Sequence, residues 1–529
     1  MGDIQILIAA LLVSVAVLNS LANWLSVPYP IVLVIGGLLL GLVPGIPQVE
    51  LDPDLVLLIF LPPLLYSGAF FADLPALRSN LRVLSLLAIG LVLATTAGVG
   101  LLAHEVFDLP WAIALTFGAI VAPTDPTAAT AILRRLGMPR RLVDVLEGEA
   151  LLNDSTALVT YKIALAAAVG GGVSALDGGL EFVGIAAGGI AIGAVVGYLI
   201  AEIRTRLEDP MTQVTISLFT GYAAFLPADE LGVSGVLATV TAGIYLGWRA
   251  PRIVSPETRL RTFAVWESLI FLIDATLFIL IGLQLPVIAD GVREAGISAG
   301  TALEYAALTC AAVVGIRFAW TSVMTAIIRT LDRRPSQRER RVSNAVRIIG
   351  AWSGMRGAVS LAAALALPFE TDAGAPLPGR DLILFLTFAV ILFSLVGQGL
   401  TLPLLVRRLG IPLGEDLEER EEIRARLVSA RAALERLDAL ELEDWTNDDT
   451  IRRVRDQYEF RRRRFKVRAG KFDDDGIEDR SLSYQRLMHE IFGAQRDVLI
   501  DLRNRGEISG EVMRRVEREL DLEESRLDY

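Results

Sequence analysis

The chain has 529 residues, 53% of them hydrophobic, and a mean hydropathy of +0.51, more apolar than soluble domains average. Its formal charge of −11 sets no membrane orientation, which depends on where Lys and Arg sit. The single cysteine, Cys310, excludes a disulfide framework, and two histidines, His104 and His489, exclude a histidine-rich metal site inside a membrane.

Apolar runs of membrane-spanning length recur up to residue 408, after which Arg, Glu and Asp dominate. This divides the chain into a membrane domain, 1–408, and a soluble tail, 409–529. The predicted spans are 4–24, 27–44, 54–72, 82–103, 110–133, 141–169, 180–202, 211–227, 231–248, 262–287, 299–328, 343–368 and 380–408, about thirteen in all. The first lacks a basic flank and reads as a retained span, not a cleaved signal. His104 falls in the loop after the fourth.

One set of loops carries Arg78 and Arg82; Arg134, Arg135, Arg140 and Arg141; Arg204 and Arg206; Arg249, Arg252, Arg259 and Arg261. The same set continues with Arg329, Arg333, Arg334, Arg338, Arg340, Arg341 and Arg347. The opposite loops hold Glu50, Asp52, Asp54, Glu105, Asp108, Asp229, Glu230, Glu370 and Asp372, with little basic beyond Arg293 and Arg380. Positive residues mark the cytoplasmic side, so the N-terminus lies outside and the tail is cytoplasmic. The alternation persists through every span, which supports the count.

An odd count permits two six-span halves joined by a linking span, the second half inverted. The fifth span then corresponds to the twelfth. Both contain helix breakers, Ala122-Pro123-Thr124-Asp125-Pro126 and Gly354-Met355-Arg356-Gly357. Paired broken spans mark a secondary transporter with its site at the midplane; the bland alternative is a simple kink in each. The expected fold is therefore an all-α polytopic membrane protein of two inverted six-helix repeats with a helical tail. In that tail Ile423, Leu427, Ala430, Leu434 and Leu437 form an amphipathic stripe, either a coiled-coil seam or a face packed on neighbouring helices. The run Arg461-Arg462-Arg463-Arg464-Phe465-Lys466 reads as a solvated face, with anionic lipid the alternative. Nucleic acid is not an expected partner of a tail tied to a membrane.

Charged residues inside a bilayer are costly and so are functional candidates. Those singled out are Asp125, Glu149, Asp154, Arg317 and Arg356. Asp154 lies about 20 Å along its helix from the cytoplasmic start, near the midplane. A carboxylate there without a cationic partner can exchange a proton for a small hard cation; a purely structural hydrogen-bonding role is the alternative. Glu149 and Asn153 share a helix face, while Asp154 points elsewhere. Glu149 is paired with Arg317, and a Glu149–Arg356 pair stays open. Helix ends and Asp125 compensate Arg356. Thr124, through its hydroxyl and freed carbonyls, joins Asp154 as a ligand of a monovalent cation. Asp125 either binds the ion through water or caps the half-helix.

These residues resemble the monovalent cation/proton antiporter family that includes the NhaP antiporters and the animal sodium/proton exchangers. The resemblance rests on Thr124-Asp125-Pro126, on Glu149-Ala150-Leu151-Leu152-Asn153-Asp154 and on Gly354-Met355-Arg356-Gly357-Ala358. It extends to Val233-Ser234-Gly235-Val236-Leu237-Ala238 and Gln398-Gly399-Leu400-Thr401-Leu402-Pro403. It implies two inverted repeats with crossed broken helices, a homodimer, and a bundle that moves past a dimerisation domain. Asn153 before Asp154 resembles the electroneutral branch. Ala150 stands where many relatives have a serine ligand, which leaves ion preference open.

The expected function is exchange of Na⁺, with Li⁺ as an alternative cargo, for H⁺ in a bacterial inner membrane, serving pH and sodium homeostasis. No cofactor is expected, since Na⁺ and H⁺ are substrates; the partners are lipid and a second copy. Potassium/proton exchange at the same site is the alternative, and proton-coupled solute symport a more remote one. A channel would need a filter motif that is absent. A serine-type intramembrane protease would need a base beside its nucleophile, and no histidine lies in a predicted span.

Overall fold

The computed structural model describes residues 2–25, 27, 29–43, 53–170, 175–331, 342–411, 415–443, 445–469 and 476–525. Among these the fold is all helical, with one isolated antiparallel bridge between Glu370 and Pro376. The chain forms two compact units, Met1–Leu413 and Gly414–Tyr529. Glu50, Asp52 and the basic run Arg333, Arg334, Arg338, Arg340 and Arg341 lie outside the described residues.

The first unit contains α1 (Gly2–Leu25), α2 (Tyr29–Gly41), α3 (Pro53–Phe70), α4 (Leu74–Phe107), α5 (Trp111–Val121), α6 (Thr127–Arg135), α7 (Arg140–Gly170) and α8 (Ala175–Thr205). It continues with α9 (Pro210–Glu230), α10 (Gly235–Ile253), α11 (Pro256–Glu294), α12 (Ala299–Leu331), α13 (Asn344–Trp352), α14 (Ala358–Leu365) and α15 (Arg380–Leu409). Among the described residues, five helices are long and apolar enough to cross a membrane: Leu74–Phe107, Val183–Thr205, Pro256–Glu294, Ala299–Thr330 and Arg380–Leu409.

Capping sets the helix starts. Asp73 accepts from Ala76 N at 3.1 Å and Pro75 occupies the first turn, so α4 begins well before the predicted residue 82. Arg78 and Arg82 consequently lie on an exposed helical face and not in a loop. At its other end α4 runs through His104 to Phe107, which corrects the loop placement of that histidine. His104 Nδ1 lies 2.7 Å from the Leu109 carbonyl and its ring stacks on Trp111, contacts that extend the helix. Ser234 caps α10 by accepting from Leu237 N at 3.1 Å, which gives the Val-Ser-Gly run a structural role.

Lipid offers no hydrophobic drive for helix association, so close backbone approach must supply it. On α8, β-carbons at Gly189 and Gly193 would fall 2.4 Å and 2.2 Å from the Ser234 and Ala238 carbonyls of α10. Two packing groups result. α10 binds α8, α3 and α9, and α11 lies along α2; separately, α4, α5, α7 and α12 pack on one another. α15 touches both α11 and α12.

The second unit contains α16 (Glu415–Leu440), α17 (Asp448–Arg468), α18 (Ile477–Asn504) and α19 (Gly510–Glu524). Ile423, Ala430, Leu434 and Leu437 are buried and α16 packs on α17, so the stripe faces a neighbouring helix. Phe465 is buried under Arg426, while Arg461 and Arg463 are exposed.

Candidate functional site

Two helices break where proline and glycine dictate. α5 stops at Val121, because Pro123 and Pro126 supply no N–H to continue it, and α6 restarts at Thr127. α13 stops at Trp352 and α14 restarts at Ala358. The two breaks cross in contact: Asp125 N donates to the Met355 carbonyl at 2.8 Å, and Arg356 Nε donates to the Val121 carbonyl at 3.1 Å. Met355 is fully buried between them.

Charge follows the helix ends. Asp125 Oδ1 accepts from Thr127 N at 2.9 Å and Thr127 Oγ1 at 2.6 Å, at the start of α6, and the same carboxylate lies against Gly357, at the start of α14. Arg356 sits at the opposite ends, bonded to Val121 at the end of α5 and to the Gly354 carbonyl just past α13. An anion at two N-termini and a cation at two C-termini is the favourable pairing with the helix dipoles. Arg356 is thus compensated by carbonyls. The expected compensation by the Asp125 carboxylate is not seen, since no ion pair joins the two among the described residues. The crossing separates the N-terminal ends from the C-terminal ends and takes the two side chains with them.

A π-helical turn, Phe393–Gln398, lets α15 serve the second break. Arg356 N donates to Ser394 Oγ at 3.0 Å, and Gln398 Nε2 donates to the Trp352 carbonyl at 3.1 Å. Trp352 Nε1 donates to Thr401 Oγ1 at 3.1 Å. The Gln-Gly-Leu-Thr run therefore caps a broken helix.

Glu149 and Arg317 form a bidentate pair: Nη2 donates to Oε2 at 2.9 Å, Nη1 bonds Oε1, and both side chains are almost wholly buried. Arg317 also donates to the Gly350 carbonyl at 3.3 Å. Thr124 Oγ1 donates to Glu149 Oε1 at 3.2 Å and accepts from Asn153 Nδ2 at 2.8 Å. The Thr124 hydroxyl is therefore bonded to Glu149 and Asn153 and tethers the first break to α7. Among the described residues, Asn153 Oδ1 is buried without a hydrogen-bond partner. Asp154, next in the chain, turns away from this network and is partly exposed. Among the described residues no hydrogen bond or ion pair reaches it, and the charge acting on it is Asp125. The network fixes Glu149 and, among the described residues, leaves Asp154 without a basic partner.

The sodium/hydrogen exchanger family profile, a transmembrane family, matches residues 8–408. The chain belongs to the sodium/hydrogen exchanger family. The family is one of membrane transporters, and this chain is a multi-pass member. It is 35% identical to an uncharacterised Na⁺/H⁺ exchanger of Mycobacterium tuberculosis, over 99% of this chain and 96% of the relative. It is 33% identical to the Na⁺/H⁺ antiporter ApNhaP of Aphanothece halophytica, covering 82% and 79% of the two chains. The sodium proton antiporter of Methanocaldococcus jannaschii superposes with a TM-score of 0.60 at 19% identity, over 77% of this chain and all of the other, a likeness of fold.

Sequence reasoning passes over Asp274, which is 7% exposed in the middle of α11. The rule that singles out intramembrane charge applies to it equally, since it interrupts the apolar run of the tenth predicted span. Lys162 of α7, ion-paired with Asp229 of α9, is passed over as well.

Proposed function

We propose that the chain exchanges one monovalent cation for one proton across a bacterial inner membrane, electroneutrally and by alternating access. The observation that carries this is the contrast within one helix: Glu149 is held by Arg317, and among the described residues Asp154 has no basic partner. Only Asp154 then alternates between proton and cation, and the loaded site carries the same charge in either state. Thr124 and Asn153 position the site through their mutual hydrogen bond, and Asp125 lends a second negative charge beside it.

In this reading the architecture is about thirteen spans in two inverted repeats. Residues 1–408 transport, 409–529 form a cytoplasmic regulatory tail, the N-terminus is outside, and two copies form a dimer. The described helices and the crossing of two broken spans support it.

Sodium is the leading cargo, supported by the exchanger and antiporter names of the relatives. Potassium is the second reading. A relative from Bacillus subtilis, 32% identical over 76% of this chain, is named a sodium, potassium, lithium and rubidium/H⁺ antiporter, and Ala150 brings no hydroxyl to the site. The test is pH-gradient dequenching in proteoliposomes with Na⁺, Li⁺ and K⁺ added in turn. Response to Na⁺ and Li⁺ alone supports the first reading, response to K⁺ the second, and response to none overturns exchange.

A further inference from the structure

A second buried carboxylate lies outside this exchange scheme. Asp274 sits near the middle of α11, nine-tenths buried, and among the described residues no Lys or Arg acts on it. Its electrostatic neighbours are the Tyr29 hydroxyl, at the start of α2, and the Asp125 carboxylate, at the helix crossing. Asp125 acts on Asp154 as well. α11 packs on α14, at whose start the Asp125 carboxylate lies, so Asp125 links the surroundings of Asp274 to those of Asp154.

Asp274 is held on a stiff support. β-carbons at Gly37 and Gly282 would each fall 2.3 Å from a carbonyl of the opposite helix, Ile279 and Val34, so α2 and α11 touch backbone to backbone. The Tyr29 ring is fixed edge-on to Phe271, one turn before Asp274, at 5.5 Å. Asp154 and Asp125 belong instead to α7 and the break before α6, in the other packing group. Burying a carboxylate without a counter-ion is unfavourable, and a fold that needed only packing here would use an apolar residue.

We propose that Asp274, with Tyr29, is a stationary relay for the cation: it receives the partly dehydrated ion and passes it to Asp125 and Asp154. This rests on the exchange reading above. We take the α2–α11 pair as the side that stays fixed while the group of α4, α5, α7 and α12 moves, so Asp274 sets how readily the cation arrives and not how much charge crosses. It is a specificity and affinity determinant, while Asp154 carries the ion.

The experiment is Na⁺-dependent proton flux in proteoliposomes at fixed pH, read as initial rate against Na⁺ concentration. Asp274→Asn should raise apparent KM about tenfold, the loss expected for one unit charge acting across about 12 Å at an effective dielectric of about 20, with maximal rate within about twofold. Asp274→Glu should restore KM, and Tyr29→Phe should raise it by a smaller factor. An unchanged KM in Asp274→Asn, or a fall in maximal rate alone, overturns the relay. If Asp274→Asn does not fold, an unchanged KM in Tyr29→Phe overturns it. A wild-type protein that shows no cation-dependent flux removes the exchange reading and the relay with it. Normal wild-type flux with a silent Asp274→Asn removes the relay alone.

Discussion

The Asp125 carboxylate fills the space that a β-carbon on Gly357 would need: Oδ2 would lie 1.9 Å from it. The first glycine of the motif does the same for a cation, since a β-carbon on Gly354 would fall 2.4 Å from Arg317 Nε. Gly-Met-Arg-Gly is thus a spacer between two charged side chains, one on each side of the buried Met355.

Gly357→Ala must therefore push Asp125 out of its seat at the two helix starts. Exchange should fall at least about tenfold, as expected when about 1.4 kcal/mol or more of site geometry is lost. Gly315→Ala is the control, because among the described residues nothing lies within 4 Å of a β-carbon there. That variant should keep wild-type flux and melt at the same or a slightly higher temperature in detergent. Equal flux in the two variants would refute the spacer role.

Glu149 and Arg317 are both buried, so removing either strands the other at a cost of about 3–5 kcal/mol. Glu149→Gln and Arg317→Gln should each lower the melting temperature, and the double variant should lose less than their sum. Strict additivity in detergent melting would mean that the pair contributes nothing. Glu149→Gln should further loosen Thr124, which donates to the same carboxylate oxygen.

Asp154→Asn keeps the shape of the site but can carry neither charge nor proton. Purified and reconstituted, it should show no cation-dependent proton flux. In the wild type, protons and cations seek the same oxygens, so low pH should raise apparent cation KM with little change in maximal rate. Clamping Na⁺-driven flux with potassium and valinomycin should show no dependence on membrane potential. A rate that shifts with potential would require a second travelling acid and would end the electroneutral reading.

In the tail, Arg496 first and then His489 hold the Glu524 carboxyl below its usual range, joining α18 to α19. A depressed carboxyl value contributes stability above the ordinary value of 4.5 and loses it as pH falls through the lowered one. Glu524→Gln in the full chain should weaken hydrogen-exchange protection of 510–524 at neutral pH. The difference from wild type should shrink as pH drops below 4.5. A difference independent of pH would rule out the ion pair as its cause.

Local chemistry settled much of this protein. Pro123 and Pro126 remove backbone donors on either side of Asp125, a capping residue, so the break after Val121 was legible from the residues alone. The tail stripe was equally legible, because helical period and apolar spacing determine which face is hidden. The start of α4 was missed because Asp73 and Pro75 carry the capping signal outside the apolar run. Which charges meet depends on residues far apart in the chain. The crossing of two half-helices sends Arg356 to carbonyl ends and Asp125 to amide ends, and only packing could decide that. Asp274 shows the same limit: its place in an apolar run marks it as unusual, but spacing along one helix cannot say that Tyr29 and Asp125 lie opposite it.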